Sequence, residues 1–311
     1  MKGTRMSISI PLARATTRTK RSLRDGEKKW GLIFVAPAMM HFLLFTSLPV
    51  FAVLFLSFTN YSILDAPKFN GIDNYIRVLK DDVFWTSVGN TLLYAFTTVP
   101  ATVILSLAVA VMLNQSFIGR ALYRVAFYLP HVTSAAAISM VWLFLYNAQF
   151  GLVNFFLEKI GLEGRAWLER PETAMLAIIV MSIWRGIGGN MVIFIAGLQG
   201  IPALLYEAAA IDGAGRWKTF WNITLPMLTP TTFFVLVTSF IGSFQVYEQV
   251  YMMTNGGPGY ATTTIVHQIY QQAFHHYKLG YASAVSVFLF IFILAITLIN
   301  NKILKSDIEY N

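Results

Sequence analysis

The sequence predicts an all-α polytopic membrane protein with six transmembrane helices, and composition and segment length support this prediction. Hydrophobic residues make up 56% of the 311 residues, charged residues make up only 12%, and the mean hydropathy is +0.59. A soluble domain carries roughly twice that share of charge. The sequence contains no cysteine, which excludes disulfides, thiolate metal sites and cysteine nucleophiles.

Six apolar segments are long enough to cross a bilayer, since about 20 helical residues span its hydrocarbon core. The first is too long and lacks the small-residue cleavage site of a secretory signal, so we expect it to be retained. The segments cover residues 31–58, 88–113, 122–146, 173–197, 229–252 and 281–301. They delimit a basic tail at 1–29, a membrane domain at 30–305 and a C-terminal segment at 306–311.

The distribution of basic residues predicts the orientation of the chain. Fifteen Lys and Arg residues lie on the side of the two termini and seven lie on the other side. Basic loops stay in the cytoplasm, so both termini and the loop at 203–226 are predicted to be cytoplasmic, in a bacterial plasma membrane. The net charge of +8 then lies on the inner face, where it contacts anionic lipid headgroups. Nucleic-acid binding by the tail is the disfavoured alternative. Up to near Trp30 the tail is predicted to lack stable structure.

The loop at 203–226 is polar, although long apolar segments flank it on both sides. Its sequence predicts a short helix opened by Glu207 and ended near Gly213, followed by a turn at Pro226 that fixes entry into the fifth segment. The alanines after Glu207 favour a helix and let a partner surface approach closely. The Glu207 carboxylate suits the helix start and offers a site for a basic group. An incidental amphipathic loop is the alternative.

The spacing of Glu-Ala-Ala at 207–209, Gly213 six residues after the Glu, and Leu-Pro at 225–226 resembles the coupling loop of permease subunits in bacterial ATP-binding-cassette importers. Other stretches are similar to the carbohydrate-uptake class of these permeases, which includes the larger subunit of the maltose transporter. These stretches lie at residues 34–37, 69–75, 84–85, 90–92, 127–130, 196–202 and 253–258. The chain departs from the maltose subunit in lacking extra N-terminal spans and a large outer domain.

The resemblance implies a type I importer permease fold that forms half of a translocation pore. It also implies a heterodimer with a second related permease, two ATPase subunits and an extracytoplasmic sugar-binding protein. The chain has no G-x-x-x-x-G-K-[ST] loop, so ATP and Mg are expected on the ATPase, with no cofactor or metal on this chain and no enzymatic activity of its own. The implied ATPase-coupling residues are Glu207, Ala208, Ala209, Asp212, Gly213, Ala214, Leu225 and Pro226.

The resemblance also places a sugar pocket among the third, fourth and fifth segments. Sugars need hydroxyl and amide partners in an otherwise apolar wall. The positions implied are Gly186, Gly189, Asn190, Ser239, Gly242, Ser243 and Val246, with Ser139 as a contributor from the third segment. Several of these are small, which indicates a wider pocket or a different sugar. Ordinary helix packing by small residues is the alternative.

Two charged residues, Arg185 and Glu248, lie inside predicted spans. Because a lone charge in the membrane is costly, we expect both to face one cavity, as an ion pair or as ligands for polar substrate groups, with a wet interface as the alternative. Arg185 suits a carboxylate. An ion-coupled secondary sugar transporter could use the pair as a proton relay. Such a transporter would have no use for the Glu-Ala-Ala helix and usually shows two related halves.

Overall fold

The computed structural model describes the backbone of residues 18–304 and the side-chain surroundings of residues 30–298. The predicted C-terminal segment at 306–311 and residues 1–17 of the basic tail lie outside the described residues. The chain divides into two compact units, Met1–Ala52 and Val53–Asn311.

Helix α1, Arg18–Phe42, continues through a π-helical turn at Leu43–Ser47 into α2, Leu48–Ser57, and the boundary between the two units lies within α2. The candidate membrane span within this rod is Trp30–Ser57, one residue displaced from the prediction. The expectation of an unstructured tail up to Trp30 is wrong for residues 18–29, which are helical. Their many Arg and Lys residues are good helix formers and extend the apolar helix that follows them.

The all-α prediction is correct for most of the chain, but the second unit also contains a small antiparallel hairpin. Strand β1, Thr59–Ser62, pairs with β2, Asp65–Phe69, and helix α3, Asp73–Leu79, follows. The buried amide of Asn74 donates hydrogen bonds to the Ser57 and Thr59 carbonyl oxygens, at 3.0 and 2.8 Å. These bonds tie α3 to the base of the hairpin.

The two longest helices of the second unit are α4 (Asp82–Asn114) and α8 (Pro171–Gln199). Between them in the chain lie α5 (Arg120–Val132), α6 (Ala135–Leu145) and α7 (Leu152–Lys159). After α8 the chain forms, in order, α9 (Ala203–Ile211), α10 (Arg216–Thr219), a π turn (Phe220–Thr224), α11 (Leu225–Met227), α12 (Thr229–Phe244), α13 (Glu248–Met253), α14 (Ile265–Tyr270), a π turn (Gln271–His275) and α15 (Leu279–Leu304).

Within the described residues, four helices are individually long and apolar enough to cross a membrane, and the number rises to six if two bent helix pairs each count as one span. The single spans are Trp30–Ser57, Asp82–Asn114, Pro171–Gln199 and Leu279–Leu298. The predicted third segment, 122–146, is a bent pair: α5 and α6 meet at 98°. Thr133 and Ser134 between them have extended backbone angles, which interrupt the helical hydrogen bonds.

The predicted fifth segment, 229–252, is too long at its C-terminal end. Helix α12 stops at Phe244, and Glu248 begins the separate helix α13 instead of lying inside a span. The Thr264 hydroxyl donates to the Val246 carbonyl oxygen at 2.9 Å and so satisfies a backbone group in the break. At the other end, α12 is preceded by the helical stretch 216–227, at 64° to it.

Close packing of α4 and α8 organises the interior, with α5 lying across α8. The Ser106 hydroxyl on α4 donates to the Ile187 carbonyl oxygen on α8 at 3.1 Å. At Gly188 on α8, a β-carbon would overlap the Phe127 carbonyl of α5, so glycine permits the crossing. Because lipid is as apolar as these side chains, close packing of this kind is what favours helix association in a membrane.

Candidate functional site

A cavity of about 730 Å³ lies among α4, α8 and α12, beside the end of α5 and the break between α12 and α13. It contains nine of the ten residues predicted for the pocket, all except Ser139. These are Arg185, Gly186, Gly189, Asn190, Ser239, Gly242, Ser243, Val246 and Glu248.

The prediction for Ser139 is not supported by its position. The Ser139 side chain is fully buried and its hydroxyl donates to the Ala135 carbonyl oxygen of its own helix at 2.7 Å. The bend between α5 and α6 turns Ser139 away, and the third segment instead presents His131 and Ala135 to the cavity. A straight helix was assumed in the sequence prediction, so it could not anticipate this change of face.

The glycines of α8 set the shape of the cavity wall. A β-carbon at Gly186 would lie 2.9 Å from the Thr102 methyl group, and one at Gly189 would lie 2.5 Å from the His131 ring. Both glycines therefore admit side chains from neighbouring helices. Between them and α12, Asn190 Nδ2 donates to Ser239 Oγ at 3.1 Å. Gly186 and Gly189 therefore both allow close helix packing and line the cavity, so the two alternatives predicted for the small residues apply together.

Arg185 lines the same cavity as Glu248, and its guanidinium hydrogen bonds within the described residues are to backbone carbonyls. One terminal nitrogen lies 3.5 Å from the His131 oxygen and 3.4 Å from the Thr133 oxygen, at the C-terminal end of α5. A cation at this end complements the helix dipole and the carbonyls released by the bend. Arg185 Nε is buried without a partner, so the guanidinium retains unused hydrogen-bonding capacity.

The sequence reasoning missed a polar stripe on α4. Tyr94, Thr98 and Thr102 line the cavity, and their spacing of four residues places them on one helical face. That spacing was the available signal. Within the described residues the buried hydroxyls of Thr98, Thr102 and Ser182 form no hydrogen bond of normal geometry, although those of Thr98 and Ser182 lie close to the Tyr94 hydroxyl, so each would have to rotate to reach a polar molecule in the cavity.

Three further lining residues, Gln245, Tyr247 and Gln249, lie at or beside the break after α12. They were missed because the sequence prediction treated residues 229–252 as one continuous helix. The break opens the end of that helix and brings amide and phenol groups to the cavity. No local sequence signal distinguished them from helix-packing residues.

The predicted coupling helix exists, but it begins earlier than expected. Helix α9 starts at Ala203, after Pro202 in an extended conformation, because proline is favoured at a helix start. Glu207 is therefore in the middle of the helix, and the argument that its carboxylate meets the helix start is wrong. Glu207 and Ala208 are exposed, whereas Ala209 is buried, so a partner could contact only part of the alanine run.

The predicted end of this helix is confirmed. Gly213 has φ +71°, the left-handed conformation that glycine adopts without strain. Its amide donates to the Ala210 oxygen at 3.1 Å, and the Ala214 amide donates to the Ala209 oxygen at 2.9 Å. These paired bonds satisfy the last helical carbonyls and produce a sharp, fixed end to α9.

The segment after α9 is helical, so the predicted turn at Pro226 is wrong. Leu225 and Pro226 lie in α11, directly after the π turn at Phe220–Thr224, and the bend follows at Leu228. Proline is tolerated at the first positions of a helix because its missing amide has no helical partner there. Leu225 is half-buried and Pro226 is exposed.

Large exposed apolar side chains lie on α9 and on the helical stretch that follows it. We call this group the α9 surface, and its members are Leu204, Ile211, Trp217 and Trp221, which are 72%, 86%, 76% and 58% exposed. The Tyr206 hydroxyl lies 3.2 Å from the Thr224 hydroxyl and joins α9 to the π turn. Asp212 is also exposed. Large apolar side chains at this level of exposure are typical of a surface that binds another molecule.

Residues 91–307 match the family described as "Binding-protein-dependent transport system inner membrane component". The chain is 36% identical over 295 residues to the probable ABC transporter permease protein YesP of Bacillus subtilis, covering 93% of this chain and 94% of that protein. It is 34% identical over 286 residues to the arabinooligosaccharides transport system permease protein AraP of the same organism, covering 91% of each.

The fold is similar to that of a solved bacterial ABC transporter involved in the import of the acidic polysaccharide alginate. The TM-score is 0.80 at 25% identity, covering 93% of this chain and all of that one. This likeness supports a type I ABC importer permease fold, and the family match makes the chain a transport component and not an enzyme. The chain belongs to the family of inner-membrane components of binding-protein-dependent transport systems.

Proposed function

We propose that this chain is the permease subunit of an ATP-driven, binding-protein-dependent sugar importer. One observation carries the proposal: helix α8 lines the 730 Å³ cavity with Arg185 to Asn190 and ends at Gln199, just before the exposed helix α9. A substrate-sized cavity and a docking helix are thus connected through α8 and the three-residue link Gly200–Pro202. The related AraP is a permease for arabinooligosaccharides, and the structural neighbour imports alginate.

The cavity has the properties of a sugar site. Its volume lies within the range of roughly 300–1,000 Å³ that is usual for small-molecule sites. The hydroxyls of Thr98, Thr102 and Ser182, buried in the cavity wall, could bond to sugar hydroxyls after a rotation of their side chains. The half-buried Asn190 amide adds a donor, and Arg185 adds a positive charge. Gly186, Gly189, Ser239, Gly242, Ser243 and Glu248 complete the proposed site.

The α9 helix couples the cavity to ATP hydrolysis in this proposal. The contacting residues are Glu207, Ala208, Ala209, Asp212, Gly213, Ala214, Leu225 and Pro226; of these, buried Ala209 acts through packing. Closure of an ATPase pair moves α9 as a rigid body, and the short link Gly200–Pro202 passes the motion to α8. The transition is driven by the different affinity of nucleotide for the two states.

The proposed assembly has six membrane spans, with the two bent pairs counted as one span each, and both termini in the cytoplasm. A second related permease completes the pore, two ATPase subunits bind ATP and Mg beneath it, and a sugar-binding protein delivers substrate from the other side. The proposed regions are the tail at 1–29, the membrane domain at 30–305, with its coupling loop at 203–226, and the segment at 306–311. Membership of the family gives the ion-coupled alternative no support.

Co-purification and uptake test the proposal together. The complete transporter, reconstituted in proteoliposomes with its ATPase and binding protein, should take up sugar only when ATP is present. Glu207→Lys should remove the ATPase from the purified complex and abolish uptake. Glu163→Lys, at another exposed position, is the charge-matched control and should behave as wild type. Uptake driven by a proton gradient without ATP would overturn the proposal.

A further inference from the structure

A second, smaller cavity of about 320 Å³ lies at the N-terminal end of α4, remote from the coupling helix. Leu113, near the C-terminal end of α4, packs in one cluster with Leu198 and Leu228 close to α9. Asp81, at the other end, lines the second cavity. Thirteen residues separate Asp81 from Tyr94 in the first cavity, which is roughly 20 Å along a helix. The two cavities are therefore separate sites.

Two cations face this second cavity without a partner in the described part of the chain. Arg77 comes from α3 and Lys278 precedes α15; both are exposed residues at the edge of the cavity, and neither side chain forms an ion pair or a hydrogen bond with residues 30–298. The carboxylate in the lining, Asp81, is already occupied. Its Oδ1 accepts the Val83 amide at 2.9 Å, and its Oδ2 accepts both the Gln268 amide at 3.1 Å and the Tyr281 hydroxyl.

The remaining lining groups add hydrogen-bond donors. Within residues 30–298, the side chains of Asn60, Tyr61 and Gln272 make no hydrogen bond, although all three line the cavity. The Asn74 amide donors are used by the hairpin carbonyls. The cavity thus has two free cations and several free polar groups, and its carboxylate, although fully hydrogen-bonded, keeps its negative charge, so the lining carries a net positive charge. Such a site is complementary to an anion that also carries hydroxyl groups.

We propose that this second cavity binds a small hydroxylated carboxylate, of the size and chemistry of a single uronic acid. The Arg77 guanidinium presents paired donors that match the two oxygens of a carboxylate, and Lys278 adds a second positive charge. Asn60, Tyr61 and Gln272 bind the hydroxyls. The volume is at the lower end of the range for small-molecule sites and suits one sugar ring, not an oligosaccharide.

Calorimetry on the complete transporter in nanodiscs tests this site with D-glucuronate and D-glucose as probes. Glucuronate should bind at least about tenfold more tightly than glucose, because the neutral sugar lacks the charge-assisted bonds. Arg77→Gln and Lys278→Gln should each weaken glucuronate binding by about ten- to a hundredfold. Lys80→Gln, an exposed neighbour outside the cavity, should leave this binding unchanged.

Three outcomes would overturn the proposal. Equal binding of glucose and glucuronate would remove the role of charge. Loss of glucuronate binding in Arg185→Gln alone would assign the carboxylate to the first cavity. Weakened association with the binding protein in Arg77→Gln, without glucuronate binding to the wild type, would identify an acidic side chain of that protein as the ligand. The melting temperature of Arg77→Lys is measured as well. If it equals that of the wild type, weaker glucuronate binding by this variant reflects lost recognition and not lost folding. ATP-driven uptake is a separate measurement, so failure here leaves the proposed function untouched.

Discussion

Asn190 donates a hydrogen bond to Ser239 at 3.1 Å and so joins α8 to α12 within the first cavity. Both side chains are half-buried. Helix α8 leads through a short link to the α9 surface, whereas α12 follows the bend at Leu228. A relative movement of the two helices must therefore stretch or break this bond, which makes it a measurable element of the transport cycle.

Ser239→Ala should lower the free energy of unfolding by about 0.5–1.5 kcal/mol, because it removes one hydrogen bond between membrane helices and leaves the Asn190 amide unpaired. Thermal unfolding of the purified protein measures this. Ser286→Ala is the matched control, since that hydroxyl bonds to the Ala282 carbonyl of its own helix. If Ser239→Ala and Ser286→Ala unfold alike, the bond between α8 and α12 does not stabilise the protein.

Gly213→Ala should reduce ATP-driven uptake while membrane insertion remains normal. A side chain at φ +71° costs roughly 1–2 kcal/mol and disturbs the paired bonds that end α9. Gly215→Ala is the control, because Gly215 has φ −69° and a β-carbon there meets nothing within 4 Å. Uptake and ATPase co-purification are the measurements. Equal uptake by the two variants would show that the fixed end of α9 is not needed for coupling.

Arg185→Gln should destabilise the protein by about 1–3 kcal/mol, because it removes the cation from the carbonyls of His131 and Thr133. Arg185→Lys should recover part of this stability, since the positive charge remains near the end of α5. Thermal unfolding measures both variants, and Arg165→Gln, at an exposed arginine, is the control. A melting temperature unchanged in Arg185→Gln would show that the bend does not depend on the guanidinium.

His267 should make stability depend on pH. Burial, with a smaller contribution from the nearby His275 charge, lowers the pKa of His267 from its ordinary 6.5 to about 4. Between these values the unfolded chain binds a proton that the folded chain does not, so stability should fall as the pH is lowered from about 6.5 towards 4.

Melting temperatures of wild type and His267→Gln over this pH range measure the effect. The variant should lose less stability on acidification than the wild type does. His276→Gln changes an exposed histidine and should retain the pH dependence of the wild type. Identical pH profiles for wild type and His267→Gln would contradict the assignment to His267.

Local sequence signals located the α9 segment well but misplaced its details. Gly213 marks the helix end correctly because only glycine adopts positive φ without cost. The predicted helix start at Glu207 is wrong, because Pro202 determines where the helix begins. The predicted turn at Pro226 is a helical segment, since proline is as compatible with the start of a helix as with a turn.

The cavity was predicted unevenly for a comparable reason. Arg185 and Asn190 lie on a regular, uninterrupted helix, so their register was predictable. Ser139 lies beyond a bend that turns it away from the cavity, whereas Glu248 follows a break and not, as predicted, a continuous span, but still lines the cavity. Hydropathy alone does not reveal such interruptions, because a window long enough to detect a membrane span averages over the few residues of a bend or break.

The sequence by itself determined that the protein is a multi-span membrane chain, where its apolar segments lie, and where the helix-containing loop at 203–226 interrupts them. These properties follow from composition and local backbone preferences. Only the tertiary structure decided the bend at Thr133, the break before Glu248 and the polar stripe of α4 in the first cavity. It also decided that Arg77 and Lys278 line the same second cavity. Each depends on hydrogen bonds or packing between residues far apart in the chain, and local sequence preferences carry no information about those partners.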